Sequence, residues 1–542
     1  MKDWNTEAGR IQVPLGEQML TTEVAGDFSL PDYQPEIKRL LRIGVSVLPP
    51  NRYAGNGSMD LGGTLDYYVL YMGNDNGLYC APLSADYRLT AEVSGGAAGR
   101  DGWEIGEPLV CTCDATAETP IGRVTAPRRL NIRCRVNARA RMYAESSVGY
   151  SGGSSDAVER LTDEAEASRL LWGMGDAIPL QDDMILTPAE GGEWRVVCAE
   201  GSALITEATA GMGMVNCRGE ATVKLTLCPG GAGGESGEGE DSGAVAPTVT
   251  YRKIPFAESV ELEGVTPNCA CCARAVCASL SVMAEEGHLH IDVGVLPEVM
   301  AQANEKVRYT KDMYSTRRKT AERYATYPIE QGMRAFNGNF TLSDSVSLEE
   351  VGIDPSARVV DVCAVATPEA LTYDPAKERC VLSGTCRAQL LLLRDGEYGS
   401  ADMVLPFRYE FDARAGGTPH TMGMDGNPAT IDVPISYSGG VQVLHCRVRM
   451  DGERVGLDAE LAVCLRTAQP STLTALTDIT EGEEVTRGRG EYVICFPSPS
   501  DSVWSVAKRY HAPLAALGAA NNLQPAPADA PESLEGVNYL IV

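Results

Sequence analysis

The sequence predicts a mainly β protein in which three tandem β-rich repeats precede a small α+β domain of the order strand, helix, helix, strand. Three observations predict this class. Apolar and polar residues alternate along most of the chain, which is typical of strands with one buried face. Glycines in three such segments recur about 160 residues apart. From Glu491 onward, apolar residues recur at helical spacing instead.

The composition is that of a folded protein with several domains. The chain has 542 residues, more than one hydrophobic core usually holds, and 44% of them are hydrophobic. The formal net charge of −28 gives a surface that repels nucleic-acid phosphates and anionic lipids. The first residues contain no apolar signal region, and no later stretch is long and apolar enough to span a membrane. We therefore expect a cytoplasmic protein that does not bind nucleic acid and has no transmembrane segment.

Each predicted repeat contains a first strand-like run and a second run that carries the recurring glycine. A glycine inside a strand pattern usually marks a bulge or a close backbone approach, so its recurrence indicates a shared bend rather than shared chemistry. The predicted repeats span residues 1–177, 178–330 and 331–488. The first runs are Ile37–Val47, Trp194–Glu200 and Val359–Val365, and the glycines of the second runs are Gly63, Gly219 and Gly384.

A Gly-, Glu- and Ser-rich tract runs from Pro229 to Ala246, and its composition is that of an interdomain linker. Its position within the repeat indicates otherwise. It falls where the first repeat has Met72–Gly77 and the third has Arg394–Tyr398, both short enough for hairpin loops. We therefore predict that the tract is a disordered, dispensable loop inside the second repeat.

Residues 491–542 form the predicted α+β domain. The short strand Tyr492–Phe496 is followed by Ser500–Ser502, whose side chains suit the N-cap of a helix. Apolar residues then recur at helical spacing, Pro513 begins a second helix, and Asn521-Asn522 ends it before a last strand.

This order resembles the LysM domain, in which a Gly-Asp-Thr-Leu turn opens the first helix. The corresponding residues here are Ser500, Asp501, Ser502 and Val503. The asparagine that ends the second helix corresponds to Asn521, followed by Asn522 and Leu523, and the terminal motif corresponds to Gly536–Val542. The resemblance implies that the two loops Ser500–Val503 and Asn521–Leu523 contact a partner.

The repeats resemble the SPOCS domain of spore-coat proteins, which opens with a Pro-Glu-Ile type segment and carries a Gly-x-Leu hairpin. Pro35–Ile37 and Gly63–Leu65 match these two motifs. SPOCS repeats followed by one LysM domain are the layout of SipL-like spore morphogenetic proteins. The resemblance implies a non-catalytic scaffold at the forespore surface, in the mother-cell cytoplasm. Its LysM domain would bind the SpoIVA-like coat basement ATPase, alongside other coat morphogenetic proteins, and so help to localise the spore coat.

A second interpretation is a peptidoglycan-binding protein of the cell envelope. The LysM domain would then hold the N-acetyl sugar backbone through the loops around Asp501 and Asn521, and the protein would need to be exported. The missing signal region argues against export.

Metal and catalytic chemistry have little support in the sequence. Four clustered cysteines could supply thiolates to zinc, but no second Cys-x-x-Cys pair lies at the required distance. His288 and His290 share one face of a predicted strand without a further ligand motif. Hydrolase, zinc-protease and kinase signatures are missing. We therefore expect no enzyme activity, cofactor or metal, and reduced thiols throughout. The clustered cysteines are Cys269, Cys271, Cys272 and Cys277.

Overall fold

The structure is a computed structural model. This structure describes residues 9–55, 57–92, 106–150, 157–186, 194–229, 246–285, 287–374, 377, 379–412, 433–434, 436–486, 493–498, 500–523, 534 and 537–542. Within these residues nearly every element is a strand and the two helices are short, so the predicted mainly β class is confirmed. Residues 230–245 of the predicted loop, Glu491 and Gly536 lie outside the described residues.

The strands fall into three consecutive units and a C-terminal module. Unit 1 contains β1 (Gly9–Ser29), β2 (Ile37–Val47), β3 (Asn51–Ala54), β4 (Ser58–Gly73), β5 (Leu78–Glu92), β6 (Leu109–Ala117), β7 (Ile121–Ala126) and β8 (Arg129–Val148). Unit 2 contains β9 (Val158–Met174), β10 (Ile178–Ile185), β11 (Trp194–Ala210), β12 (Met214–Pro229), β13 (Thr248–Glu261), β14 (Ala270–Glu285) and β15 (His288–Ser315). Unit 3 contains β16 (Arg318–Ser347), β17 (Arg358–Asp374), β18 (Arg379–Arg394), β19 (Glu397–Asp412), β20 (Val433–Pro434), β21 (Ser436–Asp451) and β22 (Arg454–Glu484). The C-terminal module contains β23 (Ile494–Cys495), α1 (Val503–Arg509), α2 (Leu514–Ala520) and β24 (Leu540–Ile541).

Strand pairing follows the same order in each unit. One sheet is an antiparallel meander: β2-β4-β5, β11-β12-β13 or β17-β18-β19. In the other sheet the last strand of the unit lies between the first strand and one further strand. The orders are β1-β8-β6, β9-β15-β14 and β16-β22-β21, and β10 also pairs with β15 in unit 2. In unit 2 a single pair, Ala203 with Ala275, joins the two sheets.

The main core of each unit lies between its two sheets. In unit 1, Leu65 and Val69 of the meander share a buried cluster with Ile132 and Val136 of β8. Units 2 and 3 have equivalent clusters. Burying such aliphatic side chains stabilises a domain by about 1.5–3 kcal/mol each, so every unit has a substantial core of its own.

The three recurring glycines each lie directly opposite an aromatic residue on the third meander strand. A Cβ at Gly384 would lie 2.3 Å from the Thr367 carbonyl oxygen and 2.6 Å from the Phe407 ring. The strand register also shifts beside this glycine, between Pro368 and Ala370. The expected close approach is therefore confirmed, because only a residue without a side chain leaves room for the ring. The pairs are Gly63 with Tyr87, Gly219 with Phe256 and Gly384 with Phe407.

Gly384→Ala is expected to lower the free energy of unfolding by about 1–3 kcal/mol, because the new methyl group overlaps a backbone oxygen that cannot move freely. Urea unfolding followed by circular dichroism measures the change. Gly399→Ala on the neighbouring strand is the matched control, since its Cβ would meet only Leu392 at 3.9 Å. Equal stability of the two variants would show that the approach at Gly384 is not tight.

Each unit contacts the other two, and a buried group of charges connects all three. Arg42 of unit 1 lies 2.9 Å from Asp361 of unit 3 and 2.7 Å from Glu200 of unit 2. Lys224 of unit 2 lies 2.7 Å from Asp361 and donates a hydrogen bond to the Val362 carbonyl oxygen, also at 2.7 Å. We call Arg42, Glu200, Lys224 and Asp361 the central ion cluster.

A second buried charge group is centred on Glu298 of unit 2. Its carboxylate accepts hydrogen bonds from Arg52 of unit 1 at 2.7 Å, Trp172 at 2.7 Å and Arg274 at 2.5 Å. Arg274 also pairs with Asp114 of unit 1 at 3.2 Å. Burial alone would raise the pKa of Glu298, but the attraction of Arg274 and Arg52 lowers this pKa to about 2.

Candidate partner-binding site

The C-terminal module is built from local capping interactions. Ser502 precedes α1, and its hydroxyl oxygen accepts a hydrogen bond from the Ser505 backbone N–H at 3.1 Å. The Ser505 hydroxyl oxygen accepts one from the Ser502 N–H at 2.9 Å. This reciprocal pair is a capping box, which satisfies two N–H groups that a helix start otherwise leaves free. The N-cap chemistry expected from Ser500–Ser502 therefore belongs to Ser502.

Asp501 is also engaged inside the module. Its carboxylate accepts hydrogen bonds from the Ser498 backbone N–H at 2.9 Å and from Arg509 at 2.5 Å. The Ser498 hydrogen bond and then the Arg509 hydrogen bond hold the pKa of Asp501 below its ordinary value. Asp501 is buried, and these two hydrogen bonds connect the turn before α1 to the end of that helix.

Asn521 connects α2 to the last strand. Its amide nitrogen donates to the Leu517 carbonyl at 2.8 Å and to the Ile541 carbonyl at 2.7 Å. Its amide oxygen accepts from the Ile541 N–H at 2.7 Å. Asn522 adopts a positive φ of 53°, a conformation that asparagine tolerates well, and Leu523 packs on the module core.

Of the seven loop residues expected to contact a partner, only Ser500 and Asn522 are exposed. Val503 packs on the module core, and Asp501, Ser502 and Asn521 make the hydrogen bonds given above. The structure thus gives most of the seven a role in holding the module together.

A row of exposed apolar side chains lies on the two strands of the module and on the residues next to them. Ile494 pairs with Ile541, and Cys495 pairs with Leu540. Cys495 and Leu540 are buried, whereas Ile494, Phe496 and Tyr539 are 59%, 75% and 56% exposed. Ile494, Phe496, Tyr539 and Ile541 line one shallow surface depression. We call these four residues the apolar strip.

The sequence did contain a signal for the apolar strip. In a strand of two-residue period, Ile494 and Phe496 take the positions opposite to Cys495, which a small soluble module would normally fill with polar residues. Large apolar side chains that cluster on a surface mark an interaction site more often than scattered ones do.

The module is anchored mainly on unit 2 through its helices, and Lys508 also lies 3.2 Å from Glu322 of unit 3. The Trp504 indole N–H and the Lys508 ammonium donate to Asp312 at 2.8 and 2.6 Å. Tyr314 donates to the Ala512 carbonyl at 2.7 Å and packs edge-on against Trp504, with ring centroids 5.0 Å apart. Burial disfavours the charged form of Asp312, but the hydrogen bonds from Lys508 and Trp504 keep its pKa below the ordinary value. The apolar strip lies on the strands and takes no part in this anchoring.

A central cavity of about 250 Å³ lies where the three units meet. Its wall comes mainly from β2 and β6 of unit 1, β11 and β14 of unit 2, and β17 and β21 of unit 3, and other strands, β12 among them, add further residues. Glu200 and Lys224 of the central ion cluster are part of this wall, and both are already paired. Glu200 and Lys224 thus hold units together through their pairs with Arg42 and Asp361.

The clustered cysteines and the two histidines do not converge. Cys271 donates to the Ala208 carbonyl, whereas Cys272 belongs to a different buried cluster from Cys269 and Cys277. His290 lies 2.5 Å from Asp183 at the surface. In the part of the chain that the structure describes, no group of three His, Cys, Asp or Glu side chains could hold a metal ion. None of the helices described is long and apolar enough to cross a membrane.

Comparison of the chain with protein-family models, with curated proteins and with solved structures finds no match in any of the three.

Proposed function

We propose that the protein is a non-catalytic assembly scaffold whose C-terminal module binds a protein partner. The observation that carries the proposal is the apolar strip, which is presented by a module that hydrogen bonds and an edge-on aromatic contact hold on unit 2. Apolar and aromatic anchors on a rigid support are the usual source of affinity between proteins.

The resemblance to SPOCS repeats with a LysM domain suggests the partner and the place. We propose that the partner is the SpoIVA-like coat ATPase, and that the complex helps to localise coat proteins at the forespore surface. The three units would be copies of one SPOCS-type repeat. Their common pairing order and their equivalent glycine–aromatic pairs support this part of the proposal.

The peptidoglycan alternative makes different demands on the module. In that interpretation the loops around Asp501 and Asn521 hold the sugar chain, so their polar groups need to be free. Both side chains instead make several hydrogen bonds within the module. The apolar strip therefore favours a protein partner over a glycan.

The double variant Phe496→Ser, Tyr539→Ser is expected to weaken binding of the full-length chain to the purified coat ATPase by at least about tenfold, since each anchor loses its buried contact area. Binding is measured by calorimetry or interferometry with the two purified proteins. Intrinsic fluorescence compared with wild type reports whether the module stays folded and docked, because Trp504, one of five tryptophans, packs against Tyr314.

The control changes the two exposed loop positions instead. Ser500→Ala with Asn522→Gly is expected to leave the affinity within about twofold, because neither position contributes an apolar anchor. If the loop variant loses binding and the apolar-strip variant does not, the loops and not the apolar strip form the binding site. Retention of the chain on purified peptidoglycan would favour the envelope interpretation.

A further inference from the structure

Two cysteines from different units face each other where units 1 and 2 meet. Cys80 lies on β5 and Cys198 on β11, and their sulfur atoms are 2.9 Å apart although 118 residues separate them. The S–S bond of a disulfide is about 2.05 Å long, so bonding requires the sulfurs to approach by less than about 1 Å.

The two thiols differ in their access to solvent. Cys198 is buried at 4% exposure, while Cys80 is only half-buried. Cys80 is thus the more exposed residue of the pair, and we expect a small oxidant to react there first. We propose that Cys80 and Cys198 form a reversible disulfide between units 1 and 2, and that low-molecular-weight disulfides such as glutathione disulfide are the oxidant.

The reaction proceeds in two thiol–disulfide exchanges. The Cys80 thiolate attacks one sulfur of glutathione disulfide, breaks its S–S bond and releases one glutathione. The Cys198 thiolate then attacks the Cys80 sulfur of this mixed disulfide and releases the second glutathione. The two protein thiols lose two electrons and two protons in total, and one glutathione disulfide becomes two glutathione thiols. Excess glutathione reverses both steps.

The reduced pair determines which thiol reacts first. The hydrogen bond with Cys80 and then burial raise the pKa of Cys198, so little of Cys198 is thiolate and Cys80 is the thiol that meets the oxidant. The Cys198 sulfur already lies beside the Cys80 sulfur, so it is placed to attack once Cys80 has reacted.

A second thiol pair provides an internal comparison. Cys272 of unit 2 and Cys464 of unit 3 are hydrogen-bonded to each other, but they are 0% and 5% exposed. Glutathione disulfide cannot approach either sulfur in the folded protein. The thiols are in contact in both pairs. Only the Cys80–Cys198 pair includes a residue that is partly exposed to solvent.

The experiment incubates the full chain with glutathione disulfide, blocks remaining thiols by alkylation, and maps peptides under non-reducing conditions. We expect a Cys80–Cys198 cross-link, with Cys272 and Cys464 alkylated only after unfolding. The Tm of the oxidised protein is expected to rise by roughly 3–8 °C, since the bond closes a long loop. A thiol reductant should reverse both changes.

Cys80→Ser removes the accessible thiol and is expected to abolish the cross-link and the rise in Tm. Cys271→Ser is the matched control, because it replaces another half-buried cysteine outside the pair, and it should retain both. Two free thiols in the oxidised wild type, a stable glutathione adduct at Cys80 without the cross-link, or an equal Tm rise in Cys80→Ser would overturn the proposal.

Discussion

Asp361→Ala is expected to lower the free energy of unfolding by about 3–5 kcal/mol, as is typical when one partner of a buried ion pair is removed. The change leaves Arg42 and Lys224 as buried cations that have lost their shared carboxylate. The side chains of Arg42 and Asp361 are only 2% and 1% exposed, so water cannot replace the lost partner. Chemical denaturation of the full-length protein measures the effect.

A double-mutant cycle tests whether the loss arises from the central ion cluster. The effects of Arg42→Ala and Asp361→Ala should be non-additive by more than about 1 kcal/mol, because the two side chains are in direct contact. Glu483→Ala is the surface control, since its pair with Lys319 is largely exposed, and it should leave stability unchanged within error. Additive effects of the first two substitutions would show that the cluster does not couple units 1 and 3.

Acid is expected to destabilise the protein through Glu298. Its pKa is about 2 in the folded state against an ordinary value of 4.5, so the folded state favours the charged carboxylate. A lowered pKa contributes stability above the unfolded value and loses it as pH falls through the folded value. The contribution, roughly 3 kcal/mol, should therefore be complete above about pH 5 and disappear between about pH 4.5 and pH 2.

Glu298→Gln separates this effect from general acid unfolding. The variant should be less stable than wild type at pH 7, and the difference should shrink as pH falls toward 2, where the native carboxyl is also becoming neutral. Stability is measured by urea unfolding at a series of pH values, with the exposed Glu483→Gln as control. A wild-type advantage that stays constant from pH 7 to pH 2 would contradict the assignment.

Local patterns in the sequence were sufficient to predict the first and second runs of each repeat as strands, and both helices of the module. Leu289, Ile291, Val293 and Val295 alternate with polar or small residues, and all four are buried on β15. Such patterns reflect short-range geometry, which the chain carries in neighbouring residues. They do not show which distant strand is the pairing partner. The predicted boundary at residue 177 leaves Val158–Met174 with the first repeat, whereas this strand pairs with β15.

The contacts between units could not be predicted from the sequence, for a related reason. Arg42 and Asp361 are charged residues within strand patterns, and charged residues are usually solvated. Their burial arises because other units cover them, which no local pattern records. In the module, the sequence indicated polar capping residues at Asp501 and Asn521 but not that their hydrogen bonds are made internally. The apolar strip could have been found from the alternation around Cys495.

The mutual contacts of the three units limit how the number of units can change during evolution. In open stacks of repeats each copy contacts only its neighbours, so duplication or loss of a copy leaves the remaining contacts intact. Here every unit touches both others, and the central ion cluster takes side chains from all three. A fourth unit would have to separate Arg42 from Asp361, and loss of one unit would expose strands that now line the central cavity, where they could pair with other chains. We therefore expect the insertion or loss of a whole unit to be poorly tolerated.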